Sequence, residues 1–405
     1  LKEQLPVVAA VNKALSSAWN GGRWRPPSLN PDAIEAYVCR KEGLRSVPGA
    51  HWRDAYRVLL SELERSADLN PLGRVIANGQ IVSLLRARTR AARLLKAHPE
   101  IRDWPVQSPI IIVGQMRSGT TRLHRLLACD PKLAHTRLFE TLDPVPYGRW
   151  FDRRLPLGAA VSAFLRAANP ATQQVHPTGP LRPEEEFGFN SFSFHGAQFE
   201  VQWNVPEFAR WCEQRDTRAA YMELRSLVQI GSWARRQKPG MTWLMKCPQF
   251  TADLESLLSV FPDARFLFLH RDHGAIAGSS ASLVSQQRRI HSDHVDAQAI
   301  GAEWLRKTAL RERRIIRFRR ENRSVPQLDL EFDEVSRDWL GQVGRIYAFL
   351  GRELEEEVIR RMQRYASRAA AHRGHAYSLE QFGLDQGMVD AAMRQSFEPR
   401  VAEPA

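Results

Sequence analysis

The sequence predicts an α/β fold: three layers, α/β/α, around a central parallel sheet, with an N-terminal helical region and a helical, aromatic-rich insertion. Three observations predict it. The apolar, largely β-branched run Ile110, Ile111, Ile112, Val113 reads as a strand buried on both faces, and so does the run at residues 264–269. Each runs into a glycine-containing turn and then into a helical pattern. Strands alternating with helices imply right-handed crossovers, and so a parallel sheet.

Residues 1–105 read as a helical region packed on the core, and residues 106–405 as the α/β domain. PDAIEAYVCRKEG, HWRDAYRVLLSELERSADL and GRVIANGQIVSLLRARTRAARLLKAHPEI carry apolar residues at three- and four-residue intervals. Pro26, Pro27 and Pro31 set a tryptophan-bearing segment apart from them. This region carries no nameable chemistry, although the basic stripe RARTRAARLLK suits an anionic surface.

The domain opens with PIIIVGQMRSGTT. A strand, a tight glycine turn and a helix N-terminus gather backbone N–H groups and the positive end of a helix dipole around one point, which makes an anion site. The turn is P-loop-like. Gly114 and Gly119 hold the glycine spacing of G-x-x-x-x-G-K-[ST], but Thr120 stands where the lysine belongs. An ATP or GTP site needs that lysine on the β- and γ-phosphates. Here the cation lies inside the turn, at Arg117, beside the hydroxyls of Ser118, Thr120 and Thr121. Arg-Ser-Gly-Thr-Thr after a buried strand resembles the phosphosulfate-binding loop of sulfotransferases that use 3′-phosphoadenosine-5′-phosphosulfate (PAPS).

KLAHTRLFETLDPVP then reads as a second strand and a loop carrying Glu140, a candidate general base near the crevice where such sheets bind ligands. Residues 146–240 read as an inserted acceptor-binding or lid segment. It is rich in aromatics: Phe187, Phe189, Phe192, Phe194, Phe199, Trp203, Phe208 and Trp211. His176 and the run Glu184, Glu185, Glu186 are expected at the surface, while leaving a second source of a base. Next, MTWLMKCPQF gives a strand ending at Lys246, and FPDARFLFLHRD a strand ending before Arg271, with Ser279 on the helix that follows. In a parallel sheet, Lys246 and Arg271 share the carboxyl edge with the Arg117 turn.

Arg271 with Ser279 eight residues on resembles the 3′-phosphate-binding element of the sulfotransferases. The lysine–any–proline at Lys246, FPDARFLFLHRD, the later QLDLEFDEVSRDWLGQVGRIYAFLG and HAYSLEQFGLD are similar to a bacterial branch of that family. The likeness runs from about residue 108 to about residue 385. Two departures stand out: Phe250 where the branch often has histidine, and His273 where it has proline.

The resemblance implies sulfuryl transfer from PAPS to an acceptor hydroxyl, leaving 3′,5′-adenosine diphosphate. Gly114, Arg117, Ser118, Gly119, Thr120 and Thr121 would hold the phosphosulfate. Arg271 and Ser279 would hold the 3′-phosphate, with a contribution from Arg373 and Gly374. Arg117 and Lys246 would stabilise transferring charge. Glu140 would be the base, as the tyrosylprotein branch places a catalytic glutamate shortly after the first helix. No metal is called for, since arginine and lysine would neutralise charge in place of Mg²⁺.

The composition is that of an ordinary soluble globular protein, with 43% apolar and 25% charged residues in 405. A net charge of +13, with arginine outnumbering lysine several-fold, favours anionic partners without choosing among them. A basic nucleic-acid-binding protein and a nucleotide-dependent phosphotransferase are the rival readings; no nucleic-acid recognition motif supports the first, and Thr120 counts against the second. Four scattered cysteines show neither metal nor disulfide spacing, which fits a reduced compartment such as the cytoplasm. No apolar run has transmembrane length, and a peripheral membrane contact stays open. The chain begins at Leu1, which leaves room for a removed leader. The aromatic insertion favours an apolar or aromatic alcohol, phenol or lipid acceptor over a polar glycan. Oligomeric state is not legible.

Overall fold

A computed structural model of the chain describes residues 5–148, 152–168, 179–238, 240–369 and 378–397. Four helices come first: α1 (Pro6–Asn20), α2 (Pro31–Glu42), α3 (Arg53–Arg65) and α4 (Pro71–Ala97). Asn30 and Asn70 start α2 and α4 by accepting the amides of Ala33 and Gly73, with proline in each first turn. β1 (Ile110–Val113), α5 (Thr120–Leu127) and β2 (Leu133–Ala134) follow, then α6 (Leu138–Leu142) and α7 (Arg154–Ala168). The inserted segment continues with α8 (Phe187–Phe192), α9 (Ala197–Gln202), α10 (Pro206–Gln214) and α11 (Arg218–Ala234). Then come β3 (Thr242–Lys246), α12 (Leu254–Val260), β4 (Arg265–His270), α13 (His273–His291) and α14 (Ala297–Glu321). The chain closes with β5 (Gln327–Glu331), α15 (Phe332–Arg337), α16 (Trp339–Leu350), α17 (Glu356–Ala369) and α18 (Gln386–Phe397).

The chain divides into two compact units. The first comprises Leu1–Val106, Thr136–Met241 and Gln286–Val295, so the N-terminal helices and the inserted segment share it. The second comprises Gln107–His135, Thr242–Ser285 and Asp296–Ala405.

In the first unit the apolar stripes of α3 and α4 need a cover, and the insertion supplies it. Phe194, Phe199, Trp203 and Phe208 are buried in one core with Trp52, Tyr56, Leu59, Ile81 and Leu85. Phe199 stacks on Trp203, and Trp52, Tyr56 and Phe194 meet within 5.5 Å of one another, ring centroid to ring centroid. These four insertion aromatics are therefore core residues and not the wall of an open pocket. A second expectation is corrected here too: Glu184, Glu185 and Glu186 are buried, Glu186 completely. The chain before them runs beside residues 136–138, with Leu138 N donating to the Arg182 carbonyl (3.1 Å) and Glu184 N to that of Thr136 (2.9 Å), and this pairing carries the glutamates inward. His176 lies outside the described residues.

The second unit is the α/β part. Its five strands are all parallel, in the order β2-β3-β1-β4-β5. Ile112 stands opposite Lys246 on one side and Leu267 on the other. Alternate residues serve opposite faces. Ile110, Ile112, Leu244, Leu267 and Leu269 pack with Leu123, Leu126 and Leu127 of α5 and Ile346 of α16. Phe266 and Phe268 meet Phe318 of α14. The fold is thus the expected mixed α/β fold with a parallel sheet. β1 lies at its centre, where the strand order switches, and ligands bind such sheets at the carboxyl edge of that point.

Candidate active site

β1 delivers the chain to Gly114 at the centre of that edge. A Cβ on Gly114 would stand 2.6 Å from the Ser118 hydroxyl and the Thr120 methyl, so glycine is the residue that fits. The turn closes on the Gln115 carbonyl, which accepts the Ser118 amide (3.1 Å) and the Ser118 hydroxyl (2.7 Å). Arg117 and Gly119 both take left-handed backbone conformations, with φ of 72° and 91°. For a non-glycine residue that conformation costs roughly 1–2 kcal/mol, so the Arg117 geometry is held by its surroundings. Thr120 opens α5, and the Arg122 amide donates to the carbonyl of Gly119, its N-cap (3.0 Å).

Three cations reach the turn from three elements. Arg117 Nε donates to the Ser279 hydroxyl of α13 (2.9 Å). Arg271, just past β4, donates through Nη1 to the Arg117 carbonyl (2.6 Å). Lys246, the last residue of β3, donates through Nζ to the Thr121 hydroxyl (3.1 Å) and is almost fully buried. The Ser280 hydroxyl also reaches the Met116 carbonyl (3.3 Å). The structure therefore brings together Gly114, Arg117, Ser118, Gly119, Thr120, Thr121, Lys246, Arg271 and Ser279. The Ser118 hydroxyl proton is used in building the turn, which leaves its oxygen lone pairs and not its proton to spare.

Sequence reasoning missed two features of this edge. The Phe332 ring lies against Gly119, where any Cβ would run into it, and 4.2 Å from the Arg271 guanidinium. Its signal was an aromatic directly after a strand, too common to single out. The second is a polar chain behind the turn. Gln115 Nε2 donates to the Thr308 carbonyl (3.2 Å) and to Glu312 Oε2 (3.1 Å), and the same carboxylate oxygen meets His273 Nε2 at 3.3 Å. The hydrogen bond to Glu312 raises the pKa of His273 above its ordinary value. Burial pushes Glu312 upward, yet His273 and Gln115 together hold it below the usual carboxylate range.

Glu140 belongs to the other unit and sits on α6, not in a loop. Its Oε1 accepts from Arg235 Nε (2.8 Å), its Oε2 is ion-paired with Arg235 Nη2, and Oε2 also accepts the Arg137 amide (2.8 Å). That last bond is half of a capping box, and it turns the expected loop into a helix start. Phe250 is fully buried on a 3₁₀ turn at residues 248–252. Arg373 and Gly374 lie outside the described residues. Among the described residues no group of three or more His, Cys, Asp and Glu is arranged to hold a metal ion, and no helix is long and apolar enough to cross a membrane.

The model of the sulfotransferase family matches residues 109–356, more than half of the chain, from the strand before the turn to the helices after Phe332. The chain belongs to the sulfotransferase family. Among its relatives, the omega-hydroxy-beta-dihydromenaquinone-9 sulfotransferase Stf3 of Mycobacterium bovis and of Mycobacterium tuberculosis is 24% identical over 318 residues, 73% of this chain and 77% of the relative. The crystal structure of sulfotransferase STF1 from Mycobacterium tuberculosis superposes with a TM-score of 0.79 at 26% identity, covering 92% of this chain and all of that one. The structure of STF9 from Mycobacterium avium gives a TM-score of 0.79 at 22% identity, covering 90% and 95%, and speaks to the fold. Arg117, Lys246 and Arg271 lie inside the matched span.

Proposed function

We propose that this sulfotransferase moves the sulfuryl group of PAPS to a hydroxyl of an apolar or lipid-like acceptor. The observation that carries the donor is the mutual bonding of Arg117, Ser279 and Arg271 on one turn. An arginine whose carbonyl and side chain are held by two further anion-binding groups supports a ligand with two separate anionic ends. The turn amides, Arg117 and the Thr120 and Thr121 hydroxyls hold the phosphosulfate. Arg271 and Ser279 hold the 3′-phosphate, with Arg373 and Gly374 assigned to it by resemblance. Lys246, placed on Thr121, neutralises charge on the oxygen that stays with the nucleotide. Sulfuryl transfer, like phosphoryl transfer, asks for in-line placement and charge stabilisation more than covalent help, and these groups supply both.

Glu140 takes the acceptor proton in this proposal. Arg235 is ion-paired with that carboxylate and fixes its position. Glu140→Gln is expected to lower kcat about 100-fold with an unchanged KM for PAPS, and Glu186→Gln to leave kcat near wild type. The reverse pattern reassigns the base. The acceptor class is supported by the relative whose name specifies a menaquinone hydroxyl.

The deciding experiment is isothermal titration with 3′,5′-adenosine diphosphate, ADP and ATP, without metal. Micromolar binding selective for the 3′-phosphate, weakened about 100-fold in Arg271→Ala, is expected. Equal or Mg²⁺-dependent binding of ATP would replace the sulfuryl donor with a nucleoside triphosphate.

A further inference from the structure

His273 stands at the first position of α13, where the family resemblance leads one to expect proline. Proline there would have no side-chain donor and no charge. Histidine adds both, and the structure shows where they go. His273 Nε2 lies 3.3 Å from Glu312 Oε2, and that oxygen also accepts from Gln115 Nε2, the side chain of the second residue of the phosphosulfate turn. Gln115 is 3% exposed, and its backbone carbonyl is the acceptor on which the turn closes. The chain His273–Glu312–Gln115 therefore ends on the atoms that shape the turn. Its other end is two residues from Arg271, which braces the same turn through the Arg117 carbonyl.

The charge arithmetic gives this chain a consequence. With His273 protonated, the pair it makes with Glu312 is neutral. With His273 neutral, the pair carries one negative charge behind a turn built to receive anions. Glu312 also lines a cavity with His270, Arg319, Arg320 and Arg323, of which Arg319 is bonded to Asp329 and Arg320 lies 4.0 Å from Glu321. Asp272 precedes His273 and caps α13 through the Ala275 amide (2.7 Å). His270 acts on Glu312 from the end of β4 but is itself bonded to Asp329 (2.7 Å). Gln386, beside Gly274, is uncharged.

We propose that His273 is a positioning residue for the donor site: through Glu312 and Gln115 it sets both the shape of the phosphosulfate turn and the charge behind it. Donor affinity is then strongest while His273 is protonated and declines as it loses its proton. The raised pKa of His273 places that decline above pH 6.5, where the nucleotide's own phosphates, with a second pKa of about 6, are mostly charged already.

This rests on the nucleotide reading of the turn, and the test separates the two. The full chain is titrated with 3′,5′-adenosine diphosphate at several pH values from about 7 to about 9, as wild type, His273→Gln and the double variant His273→Gln/Glu312→Gln. For wild type, Kd should rise about fivefold across the range. His273→Gln should be about fivefold weaker at the lower pH and flat, because Glu312 leaves one negative charge there throughout. The double variant carries neither charge and keeps hydrogen-bonding side chains, so it should be flat and recover wild-type affinity. Binding that shows the same pH profile in His273→Gln as in wild type overturns the coupling and leaves the donor site standing. No nucleotide binding by wild type at any pH overturns the donor site and the coupling with it. A melting-temperature difference between wild type and His273→Gln, largest near pH 6 and vanishing toward pH 9, reports the ion pair without any ligand, and its absence also counts against the proposal.

Discussion

The matched arginines of the first unit and Arg271 on the carboxyl edge of the second are held in different ways. In the first, arginines are matched with carboxylates: Arg88 with Glu223 (2.6 Å), Arg53 with Glu35 (2.6 Å), Arg90 with Asp143, and Arg235 with Glu140. On the carboxyl edge of the second, Arg271 leans on neutral groups. Arg117 reaches a serine hydroxyl, Lys246 a threonine hydroxyl, and Arg271 a backbone carbonyl and a phenyl ring. Among the described residues Arg271 makes no ion pair with a carboxylate. A charge matched inside the protein stabilises the fold or specifies it. A charge held in place by neutral groups keeps its field for a ligand, at a cost to the fold that the ligand offsets on binding.

The comparison can be broken at either end, and the larger effect belongs to the first unit. Arg88 lies between the Trp52 and Phe192 rings, 5.0 and 4.7 Å from their centroids, and both its terminal nitrogens are bonded to Glu223. Burial pushes the Glu223 carboxyl up, yet bonds from His51 and Arg88 bring it down to about 2. Glu223→Gln leaves a buried guanidinium unmatched and should cost about 3–5 kcal/mol in denaturant unfolding. Affinity of the folded protein for 3′,5′-adenosine diphosphate should stay within about threefold of wild type, and a collapse of affinity in protein still folded would erase the contrast. Lys246→Met is the converse. It should lower kcat about 100- to 1,000-fold, since it removes one electrostatic stabiliser of the transition state. Loss of stability with retained activity would put Lys246 in the same class as Arg88.

Legibility in the sequence divides along the same line. The turn was readable because its chemistry is local: Gly114, Arg117 and Gly119 sit within six residues, and a strand before and a helix after fix where backbone amides gather. Lys246 and Arg271 followed from strand ends in a parallel sheet, and Ser279 from its resemblance to the 3′-phosphate-binding element of the sulfotransferases. What the sequence hid was pairing across long separations. Nothing near Glu140 announces Arg235, 95 residues later, and nothing near Glu312 announces His273 and Gln115. The burial of Glu184, Glu185 and Glu186 was hidden for the same reason, since a glutamate run reads as solvated until its backbone is seen laid beside residues 136–138. The insertion's aromatics were visible, but their destination was set by apolar stripes on α3 and α4, more than a hundred residues before them.

The smallest effect is the most diagnostic, because it sets two histidines against each other. His291, in the first unit, is buried, its ring 6.2 Å from that of Trp203, and burial brings its pKa down from 6.5 to about 4. Between those values the unfolded chain binds a proton that the folded chain refuses. Its contribution is therefore intact above pH 6.5 and is lost as pH falls toward 4. His273 is raised, so its contribution is intact below 6.5 and is lost as pH rises through its folded value. On going from about pH 7 to about pH 5.5, His291 should account for roughly 1 kcal/mol of lost stability, the difference between wild type and His291→Leu measured at both values. Glu223 contributes nothing to that change, because its carboxyl is ionised in both states until pH approaches 4.5. Should His291→Leu show the same fall as wild type, the buried ring is not what makes the first unit acid-sensitive. Should His273→Gln remove the fall instead, the protonated histidine is the one that destabilises, and the ion pair with Glu312 does not hold in solution.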